Sequence, residues 1–332
     1  MNILIYRLGS LGDTVVALPC FHAIAKAFPG SRRFLLTNEP VSVKAAPAEL
    51  ILAGSGLVDG VFSYPIRTRS PRKIGSLMAQ LRAQRFDAAV YLTAPRSRLS
   101  LIRDYLFLRA CGIGSIHGVP FNRDDYSNRR DPDGYCEYEA IRLSRCIRSL
   151  GPVDLEVRSS WDLQLTVDEI SAADRALQPV QGRTLLAVNI GGKLPVQDWG
   201  DANWRATLQD VSAKLPRLAI VCVGSADERA RIARLAQDLT SPLLNLCGKL
   251  TPRETAAVFD RSTLFLGHDS GPMHLAASRQ TRCVALFGSN NPPRIWHPYG
   301  SGHIVFHEHS GIAGIRPDAV VEAVERQLRA TG

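Results

Sequence analysis

Short apolar runs alternate with helix-length amphipathic segments along the whole chain. That alternation is the signature of βα units around a parallel sheet, so the fold class read from it is α/β. In the first half the runs Asn2–Tyr6, Arg33–Leu36, Val61–Tyr64, Asp87–Leu92 and Ser115–Val119 are predicted strands. Helical periods cover Thr14–Phe28, Lys73–Gln84, Leu99–Ala110 and Glu137–Leu150. After a polar stretch, Gly151–Ser171, the series restarts with strands at Leu185–Asn189, Leu218–Val223, Leu243–Asn245, Leu264–Gly267 and Cys283–Phe287. Helices are predicted there at Asn203–Lys214, Ala226–Leu239, Pro252–Arg261 and Pro272–Ser278, and a last one at Pro317–Arg329. A length of 332 residues fits two domains. We read a Rossmann-like domain over 1–165, a second over 180–315 and a closing helix over 317–330. In open sheets of this kind ligands bind at the carboxyl ends of the strands, so a cleft between two such halves is the expected site.

Composition narrows the class. With 45% hydrophobic and 21% charged residues, disorder, collagen and coiled coil are excluded. Seven scattered cysteines without a C-x-x-C pattern fit reduced thiols, hence a cytoplasmic protein. The first residues lack the pattern of an export signal, and the apolar stretch from Val15 to Phe28 is broken by Pro19, His22 and Lys26. Any membrane contact is therefore expected to be peripheral. The net charge of +9 is concentrated: between residues 66 and 103, Asp87 is the only acid among many Arg and Lys side chains. Such a run is either a solvated face or a wall that attracts an acidic ligand. Nucleic acid is not the expected partner, because no basic stripe is interleaved with aromatics and no reader motif occurs.

Three stretches just after strands could carry chemistry. The first is Arg7-Leu8-Gly9-Ser10-Leu11-Gly12-Asp13-Thr14, where two glycines permit a tight turn ahead of a carboxylate at a helix start. Asp13 is there either as a helix cap or as a base that removes a proton from an acceptor hydroxyl. The second is Asn189-Ile190-Gly191-Gly192-Lys193, whose amides and ammonium suit a diphosphate unless it is a plain surface turn. The third is His268-Asp269-Ser270-Gly271-Pro272-Met273-His274, in which the free amides of a helix N-terminus would meet an anion. The competing reading makes Asp269 a cap and His274 a buried core residue. Trp199 and Trp204 are read as packing, and His303, His307 and His309 as a turn or edge strand, so no metal is assigned. The G-x-G-x-x-G fingerprint is absent, which disfavours a nicotinamide enzyme, and no cofactor is expected.

Taken in order, residues 3–29, 189–204, 221–236, 245–259, 264–277 and 284–300 resemble the ADP-heptose lipopolysaccharide heptosyltransferase family. That family comprises inverting, metal-independent glycosyltransferases of GT-B architecture, with two Rossmann-like domains facing across a cleft. The resemblance covers most of the chain. It implies a nucleotide-diphosphate sugar as donor, bound by the second half, and an acidic or phosphorylated glycan or glycolipid as acceptor, bound by the first. Asp13 stands where the family has its general base, with Gly12 beside the acceptor. Gly191, Gly192, Lys193, Asp269, Ser270 and Gly271 would hold the diphosphate and sugar, with His274 in the same helix turn. Asp227 or Glu228 would meet the ribose, and Leu250 the adenine. Arg67, Arg69, Lys73, Arg96 and Arg98 would form the acceptor wall, and the closing helix would pack back on the first domain. One departure stands out: family members often have Lys or Arg two positions before the tryptophan, and this chain has Gln197. A transferase with another nucleotide sugar acting on a capsule or other polysaccharide, or a catalytically silent nucleotide binder, remains the alternative.

Overall fold

Strand β1 (Asn2–Tyr6) explains the first half of the molecule: Ile3, Leu4 and Ile5 are wholly buried, as a central strand covered on both faces requires. The computed structural model describes residues 1–40, 46–66, 68–94, 97–192 and 194–330. It divides into two units, Met1–Gln164 and Leu165–Gly332.

In the first unit β1 is followed by α1 (Leu11–Val16), α2 (Leu18–Ala27), β2 (Arg32–Asn38), α3 (Glu49–Leu52), β3 (Gly60–Tyr64) and α4 (Pro71–Ala83). Then come β4 (Ala88–Tyr91), α5 (Arg98–Ala110), β5 (Ser115–His117), α6 (Arg123–Tyr126) and α7 (Glu139–Cys146). The sheet is parallel throughout, in the order β3-β2-β1-β4-β5. The chain winds outward from β1 and then returns to start again at β4. The carboxyl ends of β1 and β4 therefore flank the switch point where such sheets bind ligands. The helix predicted as one piece over Thr14–Phe28 is two, joined at Ala17, because Pro19 has no N–H to continue the ladder. Helices α4 and α5 share one face of the sheet, where Leu81, Leu101 and Leu108 pack with Leu4, Tyr6 and Phe34.

The second unit opens with α8 (Val167–Leu177), a helix outside the predicted set although a helical period begins at Asp168. Thr166 and Glu169 form its capping box, and Glu169 also receives Arg253 at 2.5 and 2.9 Å, which ties this segment to the second unit. There follow β6 (Thr184–Asn189), α9 (Asp201–Lys214), β7 (Leu218–Cys222), α10 (Arg229–Leu235), β8 (Leu243–Asn245) and α11 (Pro252–Arg261). The last elements are β9 (Leu264–His268), α12 (Gly271–Ser278), β10 (Arg282–Phe287), β11 (Ile304–His307) and α13 (Pro317–Arg329). This parallel sheet has the order β11-β10-β9-β6-β7-β8, with its switch point between β6 and β9. Trp199 and Trp204 are core residues, their rings edge to face at 5.2 Å.

Val320, Val321, Val324 and Leu328 of α13 are buried in the core of the second unit together with Trp199, Leu208 and Val211. That burial accounts for the apolar stripe of the helix. All seven cysteines are unpaired thiols, and among the described residues no helix is long and apolar enough to cross a membrane.

Candidate active site

The first unit presents Asp13 by stitching the loop after β1 to its neighbours. Leu8 N–H donates to Thr93 Oγ1 at 3.0 Å and Gly9 N–H to Asn38 Oδ1 at 2.7 Å. Arg7 donates to the Leu92 carbonyl at 2.6 Å and to the Asp13 carbonyl at 3.2 and 2.6 Å. Burial pushes the Arg7 guanidinium down, against the opposing pull of Asp13 and Glu139. Gly9 sits at φ +137°, and a Cβ there would lie 2.3 Å from that of Asp13, so only glycine allows the carboxylate its place.

The two readings of Asp13 meet in one side chain. The helix begins at Leu11, earlier than predicted, so Ser10 is the N-cap and Asp13 the third helical residue. Asp13 Oδ2 accepts from Ser10 N–H at 2.9 Å and from Ser10 Oγ at 3.3 Å, the carboxylate half of a capping box. Among the described residues nothing donates a hydrogen bond to Oδ1, and the side chain is only half-buried. Gly12 is buried inside α1, where it can shape the turn but offers little surface to an acceptor. Of the basic wall, Arg67 and Arg96 lie outside the described residues. Arg69 and Lys73 are exposed before and in the first turn of α4. Arg98, at the start of α5, donates to the Phe121 carbonyl at 3.3 Å and lies over the Tyr126 ring at 5.5 Å.

In the second unit the residue that gathers the site is Asn189, the last of β6 and buried. Its Nδ2 donates to the Val223 carbonyl at 2.9 Å and to Glu228 Oε2 at 3.3 Å, and its Oδ1 accepts from Ser270 Oγ at 3.1 Å. One amide thus joins the loops after β6, β7 and β9. Glu228 lies so close to the glycines that a Cβ on Gly191 would be 1.9 Å from Oε1, and one on Gly224 would be 2.0 Å from Oε2. Glu228 is therefore the acid turned toward the site, while Asp227 is exposed. Gly248 N–H donates to the Gly224 carbonyl at 2.8 Å, which brings the turn carrying half-buried Leu250 against the turn carrying Glu228.

Ser270, not Asp269, is the N-cap of α12, and its side chain makes no bond to that helix's own amides. The first-turn amides keep their capacity for an anion near Gly271. Asp269 is held by side-chain amides: Asn291 Nδ2 at 2.6 Å, Asn290 Nδ2 at 3.3 Å and Gln197 Nε2 at 3.3 Å all donate to Oδ2. Gln197 is buried, also donates to the Asp269 carbonyl at 3.2 Å, and accepts from Leu194 N–H at 3.1 Å through Oε1. The residue that departs from the family pattern is thus a clamp on Asp269. Gly192 packs against the same side chain, a Cβ there being 3.0 Å from that of Gln197. Lys193 lies outside the described residues. His274 is buried one turn into α12, its ring 6.0 Å from Trp296. Next to Asp269, burial pushes His268 down to about 4, so it is neutral at pH 7. The late histidines lie in or beside edge strand β11, where His307 Nδ1 is 2.8 Å from His297 Nε2.

Arg7 and Asn189 head two of the stretches read from the sequence but were given no role of their own, and Asn290 and Asn291 were not named as site residues. The signal available was a polar residue ending an apolar strand, or an amide pair directly after one.

Comparison with known proteins places the chain in a family. A lipopolysaccharide heptosyltransferase 3 of Escherichia coli is 31% identical over 109 residues, a stretch that is 32% of this chain and 32% of that protein. The chain thus aligns with about a third of that relative's length. A family 9 glycosyl transferase structure from Veillonella parvula has a TM-score of 0.76 at 18% identity, covering 99% of this chain and 97% of that one. The ADP-heptose LPS heptosyltransferase II of E. coli has a TM-score of 0.71 at 18% identity, covering 100% and 99%. At that identity the structural likeness establishes the fold. Residues 140–313, just over half of the 332, match the model of glycosyltransferase family 9 (heptosyltransferase), and the chain belongs to that family.

Proposed function

We propose that the protein is an inverting glycosyltransferase. It moves a heptose or related sugar from an ADP-sugar to an acidic or phosphorylated acceptor such as a lipopolysaccharide core, in the cytoplasm at the inner membrane's face. The observation that carries this reading is the gathering of Glu228, Ser270 and the Gly191 turn around Asn189, at the switch point of the second sheet. A carboxylate beside two glycines and a helix start suits a ribose hydroxyl next to a diphosphate. The names of the relatives, which include ADP-heptose, support the choice of donor.

In the reaction the acceptor hydroxyl attacks the anomeric carbon while the bond from that carbon to the diphosphate oxygen breaks. The hydroxyl proton passes to Asp13, and the electron pair leaves with the nucleotide diphosphate. Attack opposite the leaving group inverts the anomeric centre. We assign the growing charge on the diphosphate to the first amides of α12 and to Lys193, with no divalent ion taking part. Titration with ADP-, GDP- and UDP-sugars, followed by nucleotide release with and without core oligosaccharide, tests the reading. Acceptor-dependent release of ADP that persists in EDTA is expected. Release only from a GDP- or UDP-sugar selects the capsule-type alternative, which Gln197 in place of a cation keeps in view.

Glu228→Gln is expected to weaken ADP binding by about 10- to 100-fold, the worth of a hydrogen bond to a charged group, and Asp227→Asn to leave it unchanged. Calorimetric titration of both variants checks this. The opposite ranking would assign the ribose to Asp227.

A further inference from the structure

Helix α5 is apolar on two sides. Leu101 and Leu108 face the core of the first unit, yet Leu99, Ile102 and Leu106 are 80%, 48% and 58% exposed. The spacing of these three puts them on one stripe. Phe121, also exposed, extends the stripe through its edge contact with Tyr105 at 5.2 Å, and Ile74 is exposed on neighbouring α4. Arg82 of α4 donates to the Ala110 carbonyl of α5 at 2.9 and 2.7 Å, which fixes the two helices side by side.

The rim of this stripe has one sign. Arg72, Lys73 and Arg82 of α4 and Arg98, Arg103 and Arg109 of α5 are exposed. The only acid on either helix is Asp104, which is buried against Arg103 and the Tyr91 hydroxyl. Aliphatic side chains ringed by cations are what an interfacial helix offers to a bilayer with acidic headgroups. A second copy of the chain would bring the same cations onto the face and be repelled. A single-stranded nucleic acid would call for a row of exposed aromatic rings, where α5 itself exposes leucine and isoleucine.

We infer that the α4–α5 face seats the protein on an anionic lipid bilayer. Leu99, Ile102 and Leu106 enter the boundary between headgroups and acyl chains, and the arginines of the rim meet lipid phosphates. The inference rests on the proposed placement at the inner membrane's face and names the surface that makes it; vesicle binding is read without donor or acceptor, so its failure is distinct from failure of the transfer reaction.

The full chain is sedimented with vesicles of phosphatidylcholine alone and of phosphatidylcholine with a quarter phosphatidylglycerol, at low and high salt. Binding is expected to the anionic vesicles only, and to fall with salt. The combined variant Leu99→Ser, Ile102→Ser, Leu106→Ser should bind at least about tenfold more weakly. Leu99→Ser alone, the most exposed of the three, should show a smaller loss with an unchanged melting curve. Arg72→Gln with Arg103→Gln should weaken binding by roughly 10- to 30-fold and flatten the salt dependence. Equal binding to both vesicles, binding to neither, or parental binding by the serine variant overturns the inference. So does a dimer in solution that the serine variant abolishes, which would make the face a self-contact.

Discussion

Asp13→Asn is expected to lower turnover by roughly 10²–10⁴-fold while leaving donor affinity and melting temperature close to those of the parent. The geometry makes this substitution diagnostic. Asn keeps a carbonyl oxygen that can accept from Ser10 N–H, so the capping contact that Oδ2 makes survives, while the capacity to take a proton is lost. Asp13→Ala removes both and should also destabilise α1, by about 0.5–2 kcal/mol. A kcat loss shared by Asn and Ala with a melting shift only in Ala identifies Asp13 as the base. Near-parental turnover of Asp13→Asn would reduce the residue to its capping role. In the proposed reaction donor binding belongs to the second unit, so equilibrium titration with ADP separates loss of chemistry from loss of fold.

Much of this was legible because βα units write their period into the sequence. The strand Asn2–Tyr6 was read without error. What the sequence does not carry is which loop residues turn inward. Asp227 and Glu228 are adjacent and chemically alike, and only the approach of Gly191 and Gly224 shows that Glu228 fills the space between them. Gln197 read as a missing cation, because nothing local reveals that its amide bridges 72 positions to Asp269. Pro19 was in view, yet the helical period on both sides of it masked the break at Ala17.

Glu139→Ala is expected to cost the first unit about 3–5 kcal/mol, because it strands two buried guanidinium groups. Glu139, Arg7 and Arg142 are all at least 98% buried. Arg142 grips the carboxylate with two bonds, 2.8 Å from Nε and 2.7 Å from Nη2, and Arg7 Nη1 lies 4.0 Å from Oε1. Burial already disfavours the charge on Arg7, so removing the nearby anion leaves it with less compensation. For a unit of this size the melting temperature should fall by on the order of 10 °C. The exposed pair Arg129–Asp124 provides the contrast, and Arg129→Ala should leave the curve unmoved. A change of less than about 2 °C in Glu139→Ala would mean that the network is replaceable. The link to chemistry runs through Arg7, whose remaining N–H groups hold the Asp13 carbonyl. Well below its melting temperature, Glu139→Ala should therefore lose kcat with ADP affinity unchanged. Glu139→Gln, which keeps acceptor and shape but not charge, should recover part of the rate.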